Sequence, residues 1–171
     1  KKKKNTLFYK HPPALPHDEL IWDMQVACQT KIDNELNQYE VSAYAAEGQQ
    51  SRHNLNYWQF GDYIGIGAGA HGKLTDEQGT ISRYWKKKLP RNYIKLAGTQ
   101  DVIGGKNIVK DAELPFEYMM NALRLKSGFT VDHYQQQTHQ NAYQIQAILD
   151  SLVNKKLLQR NASSYRCTEQ G

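Results

Sequence analysis

The sequence predicts an α/β chain whose C-terminal part is mostly helical. Three patterns carry that reading. Apolar residues recur at helical spacing over Asp18 to Leu36 and over Leu114 to Lys126. Tyr39, Val41 and Ala43 alternate with Glu40, Ser42 and Tyr44, and a turn at Asp76-Glu77-Gln78-Gly79 joins two further extended runs. From Thr130 onward, two short helical stretches precede two short strands.

Taken in order, Asn5 to Pro16 reads as ordered but non-helical, because Pro12, Pro13 and Pro16 forbid helix there. Asp18 caps a helix that runs to about Leu36, with Leu20, Met24, Ala27, Cys28 and Leu36 near helical spacing. Tyr39 to Ala45 is a short strand, and Ala45 to Arg52 is a polar loop holding Gly48. His53 to Phe60, dense in aromatics and amides, makes one or two helical turns. Asp62-Tyr63-Ile64 opens a short strand that runs into glycines, and Lys73–Thr75 pairs with Thr80–Tyr84 through the Asp76–Gly79 hairpin.

Pro90 to Ala97 is a helix, and so is Leu114 to Lys126, amphipathic through Phe116, Met119, Met120, Leu123 and Leu125. Thr130 to Gln137 and Ala142 to Leu152 are helices, the second with Tyr143, Ile145, Ile148, Leu149 and Leu152 on its apolar face. Leu157 to Arg160 and Tyr165 to Cys167 flank the turn Asn161-Ala162-Ser163-Ser164. Helix, helix and two-stranded wing is the winged-helix order.

Composition excludes several classes. Aromatics reach 11% of 171 residues, with 11 Tyr and 3 Trp, enough burial to exclude disorder. No run approaches the roughly 20 apolar residues of a membrane span. Two cysteines far apart, Cys28 and Cys167, make no disulfide scaffold and no zinc site. The net charge of +5 rests on Lys1 to Lys4; without them 18 basic residues face 17 acidic ones. That run reads as a solvated basic tail or a remnant, and a first residue other than Met suggests a fragment or a processed chain.

Two constellations could carry chemistry. Gly65-Ile66-Gly67-Ala68-Gly69-Ala70-His71-Gly72 lets a ligand approach the backbone, or else makes a glycine-rich bend in a sheet. It fits a dinucleotide fingerprint poorly, because a strand and hairpin follow it where a helix N-terminus should hold the pyrophosphate. In His53-Asn54-Leu55-Asn56-Tyr57-Trp58, a neutral imidazole beside flat rings can ligate a metal, or can simply be satisfied within an aromatic loop. His11, His17, His133 and His139 show no metal spacing, and His133 and His139 belong on solvated helix surface.

In this order, with Asn5-Thr6-Leu7-Phe8-Tyr9, Tyr39-Glu40-x-Ser42-x-Tyr44-Ala45 and Pro115-Phe116-Glu117-Tyr118-Met119-Met120-Asn121-Ala122-Leu123-Arg124-Leu125, these motifs form a series. From Asn5 to Gly171 the chain resembles the C-terminal half of the oxygen-independent coproporphyrinogen III oxidase-like proteins, in the radical S-adenosylmethionine branch regarded as haem chaperones.

The resemblance implies the trailing part of a partial β/α barrel from residue 5 to 99, then a helical domain with winged-helix character from 100 to 171. It implies a cytoplasmic protein of haem and porphyrin metabolism whose partners are haem, haem-accepting proteins and the missing N-terminal barrel half. Peripheral membrane association of the full-length protein is a further expectation. S-adenosylmethionine and a 4Fe-4S cluster are expected of the full-length protein only, because the CxxxCxxC cluster loop is absent here; the chain alone is expected to run no radical chemistry.

Residue by residue, Gly65, Gly67, Ala68, Gly69, Ala70 and His71 match the segment beside the adenosine of S-adenosylmethionine. His53, Tyr57 and Trp58 match the family's HNxxYW motif, with His53 as the haem iron ligand and the two rings against the macrocycle. Glu40 and Ser42 match a strand motif read as packing. Haem delivery is favoured over porphyrinogen oxidation because HNxxYW is intact. A nucleic-acid-binding winged helix is the competing class, disfavoured because the helix from Ala142 to Leu152 carries no Lys or Arg for phosphates.

Overall fold

The computed structural model describes residues 6–32 and 35–171, so the basic run Lys1 to Lys4 lies outside the described residues. The chain divides into two compact units, one up to Asn37 and one from Gln38 to Gly171.

In the first unit, α1 (Leu7–Lys10) is a single turn capped by Thr6, whose Oγ1 accepts from the Tyr9 amide at 3.3 Å. The non-helical reading of this stretch is therefore corrected: the prolines begin at Pro12 and leave the preceding turn free to close. Helix α2 (Asp18–Ile32) begins at the expected acid, with Glu19 also in its first turn, where the helix dipole favours negative charge. No residue of α2 is buried.

The second unit opens with two strands where one was expected. β1 (Asn37–Glu40) and β2 (Ala43–Ala45) pair with each other, separated by Val41 and Ser42. The Val41 amide donates to the Arg124 carbonyl (3.1 Å) and the Lys126 amide to the Tyr39 carbonyl (3.1 Å), which ties this ribbon to the segment after α5. Helix α3 (Arg52–Trp58) is capped by Ser51, whose Oγ accepts from the Asn54 amide at 3.3 Å.

The predicted hairpin forms as β3 (His71–Thr75) and β4 (Ile81–Lys86), antiparallel, with His71 opposite Trp85 and Thr75 opposite Ile81. Asp76 Oδ1 accepts from the amides of Gln78 (3.0 Å) and Thr80 (2.8 Å), and Gly79 takes φ +81°, which closes the turn. A strand the sequence did not announce, β5 (Ile103–Ile108), pairs with β4. Asp62 to Ile64 makes only a single bridge, Tyr63 to Lys73, instead of a strand. Helix α4 (Pro90–Leu96) starts on its proline, which has no amide to leave unsatisfied.

The C-terminal part runs α5 (Leu114–Ala122), β6 (Phe129–Thr130), α6 (Val131–Thr138), α7 (Tyr143–Asn154), β7 (Leu158–Asn161) and β8 (Ser164–Cys167). Its sheet has the order β6-β8-β7, antiparallel throughout. Thr130 caps α6 by accepting from the His133 amide at 3.1 Å. The buried face of α5 is Leu114, Tyr118 and Ala122, while Phe116 and Met120 of the expected apolar face are exposed. In α7 the buried residues are Ile145 and Leu149, with Tyr143 and Ile148 facing out.

Tyr118, Phe129, Tyr134 and Tyr165 form an aromatic core, with Tyr118 edge-on to Phe129 (5.6 Å) and to Tyr134 (5.2 Å). Phe60, Ile81 and Val109 join it and so bind the middle sheet to the C-terminal helices. Among the described residues, no helix is long and apolar enough to cross a membrane.

Candidate functional site

The glycine segment is a loop leading into β3. Tyr63 and Lys73 exchange both backbone hydrogen bonds (2.9 and 3.0 Å), and the next turn then swings out. The Gly65 amide donates to Tyr84 Oη (3.0 Å), the Gly67 amide to Tyr93 Oη (3.1 Å), and the Gly69 amide to the Lys87 carbonyl (2.9 Å).

The glycines divide by cause. A Cβ at Gly65 would strike the His71 backbone, and one at Gly72 would strike the Tyr84 ring, so these two permit close packing. Gly67 (φ +110°) and Gly69 (φ +71°) instead supply left-handed backbone, and no atom lies within 4 Å of a Cβ at Gly67. Gly65 is buried, Gly67, Gly69 and Ala70 are half-buried, and Ala68 and His71 are exposed. The His71 ring stands 6.3 Å from that of Trp85.

Helix α3 presents its motif on two faces. His53 and Tyr57, four residues apart, share one: their rings meet edge-on at 4.9 Å, and Tyr57 lies against Tyr63 at 4.3 Å. His53 is exposed. Burial, with Tyr63 alongside, holds the Tyr57 hydroxyl above its ordinary pKa.

Trp58 belongs to the other face. The Arg124 guanidinium lies 4.3 Å from its ring and donates to Glu40 Oε2 (3.0 Å) and Ser42 Oγ (2.9 Å), while Ser42 donates to Glu40 Oε1 (3.1 Å). Glu40 and Ser42 thus hold the cation that packs on Trp58. Two amides fix the helix further: Asn54 donates to Tyr39 Oη (3.2 Å) and Asn56 to the Asp62 carbonyl (2.9 Å).

Beyond Trp58 opens a cleft of about 290 Å³, lined among others by Tyr118, Leu125, Phe129, Thr130 and His133. His133 Nδ1 and Tyr118 Oη lie 2.7 Å apart. Burial lowers the His133 pKa and raises that of Tyr118, so both are neutral at neutral pH. The expectation that His133 lies on solvated surface is therefore corrected; only His139 does. The pair went unread because 15 residues separate its members and no local spacing links them.

Cys28 is exposed on α2, and the half-buried Cys167 thiol contacts the Leu123 carbonyl at 3.5 Å, its pKa pushed up by burial. Among the described residues, no three His, Cys, Asp or Glu side chains are grouped to hold a metal ion.

Comparison with known proteins adds the following. Residues 109–171 match the HemN C-terminal domain family. The chain is 38% identical over 168 residues to the haem chaperone HemW of Haemophilus influenzae, covering 98% of this chain and 43% of that one. It is 39% identical over 171 residues to HemW of Escherichia coli K12, again covering 98% and 43%. A mouse protein, radical S-adenosyl methionine domain-containing protein 1, mitochondrial, is 32% identical over 167 residues, 91% of this chain and 37% of that one. The fold is similar to coproporphyrinogen III oxidase (HemN) of E. coli, a radical SAM enzyme, with TM-score 0.61 and 11% identity over 91% of this chain and 39% of that one. The chain thus spans less than half the length of the curated relatives named.

Proposed function

We propose that the chain, which aligns with the C-terminal part of proteins of the coproporphyrinogen III oxidase-like, haem chaperone family, binds haem as part of a protein that delivers haem to acceptor proteins. The observation that carries this reading is His53 itself, exposed on a capped helix with its ring set edge-on against Tyr57. An exposed imidazole is a competent axial ligand for haem iron, and the Tyr57–Tyr63 pair offers flat apolar surface for the macrocycle. Trp58 lies on the other face of α3, where it walls the cleft with Phe129 and Tyr118, apart from the His53 ring.

In the complete protein, the segment from Gly65 to His71 is proposed to face the adenosine of S-adenosylmethionine. The open space around Gly67 and the 84% exposure of Ile66 support a close approach of ligand to backbone. S-adenosylmethionine and a 4Fe-4S cluster would supply radical chemistry there; this chain has no CxxxCxxC loop to hold the cluster, so alone it is proposed to bind and not to catalyse.

A barrel origin for residues 5–99 and winged-helix character for residues 100–171 remain part of this reading. The second is supported by the order helix, strand, helix, helix, strand, strand with β6 beside β8. A nucleic-acid role is disfavoured because α7 carries no Lys or Arg. Two free cysteines accord with a reducing, cytoplasmic setting.

The test is a haem titration of the chain beside His53→Ala, read by Soret and ligand-field bands, since haem adheres to apolar surfaces without specific ligation. The expected result is loss of histidine-type ligation and an affinity lower by about tenfold or more. Identical spectra and affinities would show that His53 is not the ligand.

A further inference from the structure

We infer that Tyr63 and Arg83 are positioning residues for the His53 imidazole, an inference that rests on the haem reading above. His53 makes no side-chain hydrogen bond among the described residues; what holds its ring is a column of contacts. His53 meets Tyr57 edge-on at 4.9 Å, and Tyr57 lies on Tyr63 at 4.3 Å with 32° between planes. Arg83 Nη1 donates to Tyr63 Oη at 3.3 Å, and Arg83 Nη2 pairs with Glu117 Oε2 at 2.6 Å.

The column grows stiffer toward its base. Glu117 sits on α5 next to Tyr118, which is fully buried in the aromatic core. Arg83 is on β4, the central strand of its sheet. Tyr63 is held at its backbone by both hydrogen bonds to Lys73, and its neighbour Asp62 accepts from Asn56 of α3. A seven-residue helix with an exposed histidine would otherwise leave the ring to sample several rotamers, and ordering such a side chain on binding costs conformational entropy. The column meets that cost before the ligand arrives. Neither Tyr63 nor Arg83 belongs to the buried core cluster, so packing of the core does not account for them.

The experiment is haem binding to the chain in five forms: wild type, Tyr63→Leu, Tyr63→Phe, Arg83→Met and His53→Ala, each checked for folding by far-UV circular dichroism. The readouts are the ligand-field spectrum and the rate of haem loss to an apoprotein scavenger. Tyr63→Leu is expected to give a mixed ligation spectrum and haem loss faster by about three- to tenfold, the size of one lost aromatic pair. Tyr63→Phe keeps the ring on Tyr57 but loses the Oη that Arg83 donates to, and is expected to shift the spectrum as Arg83→Met does, by less than Tyr63→Leu. Arg83→Met should shift the spectrum in the same direction as Tyr63→Leu, and it carries the test alone should the leucine variant not fold. Wild-type spectra and loss rates in folded Tyr63→Leu and Arg83→Met, with a changed spectrum only in His53→Ala, would overturn the positioning role and leave the haem reading standing. An unchanged His53→Ala spectrum would overturn both.

Discussion

Lys73 is 2% exposed, an unusual place for an ammonium group. Asp62 Oδ1 lies 2.7 Å from its Nζ, and the Phe60 ring lies 4.5 Å away. Burial pushes the Asp62 carboxyl pKa up, but Lys73 together with the amide and hydroxyl of Thr75 outweighs it, and the carboxyl ends below its ordinary value. Asp62→Asn would leave the ammonium buried without a counter-charge. Because Asp62 is 38% exposed, the expected cost is about 2–3 kcal/mol, below that of breaking a fully buried pair. Chemical denaturation of the variant at neutral pH checks it, and a change under about 0.5 kcal/mol would mean that solvent already compensates Lys73. The sequence shows an Asp and a Lys eleven residues apart with no reason to pair them; the pairing arises only when the glycine segment folds Tyr63 back onto β3. Residue identity exposed the glycines. It did not show that Gly65 and Gly72 serve packing while Gly67 and Gly69 serve backbone conformation, because that depends on where Tyr84 lies.

Elements with strong local signals were legible. The Asp76–Gly79 turn fixed its own hairpin through an acceptor side chain and a left-handed glycine, and α6 followed its Thr130 cap. Strand β5 was not legible, for a physical reason: Gly104 and Gly105 weaken its strand character. They are there because the Trp85 indole lies across them, where any Cβ would collide. On α3 the motif was legible as residues but not as geometry, since helical spacing turns Trp58 away from His53 and Tyr57. Helix α6 carries a pH prediction. His133 titrates below the histidine value of 6.5 because burial disfavours its charged form. The unfolded chain therefore binds more protons just below that pH, so this stability is present above 6.5 and is lost as pH falls toward the folded-state value. Thermal unfolding should show a steeper loss between pH 7 and 5 in wild type than in His133→Gln. Equal slopes in the two proteins would remove His133 as the source.

At the scale of the molecule, the order of elements in the C-terminal part was readable because helix, helix and wing each carry local signals. The division after Asn37 was not, because it follows from what α2 lacks and not from any linker composition. Leu20, Ile21, Trp22, Met24 and Val26 of α2 are 42–58% exposed and spread around the helix. A helix apolar on several sides is ordinarily buried, and apolar patches of this extent mark surfaces that take a partner. The aligned region covers 43% of each of two curated relatives, and the expectation is that a further part of such a protein covers α2. Without that cover, the expectation is that α2 pairs with α2 of another copy. Sedimentation velocity of the chain should show association that grows with concentration through the micromolar range. The triple variant Leu20→Ser, Trp22→Ser, Met24→Ser should shift it to monomer while the unfolding transition of the aromatic core around Tyr118 stays in place. A wild-type chain that remains monomeric at every concentration, or a triple variant that associates as strongly, would show that these side chains need no cover.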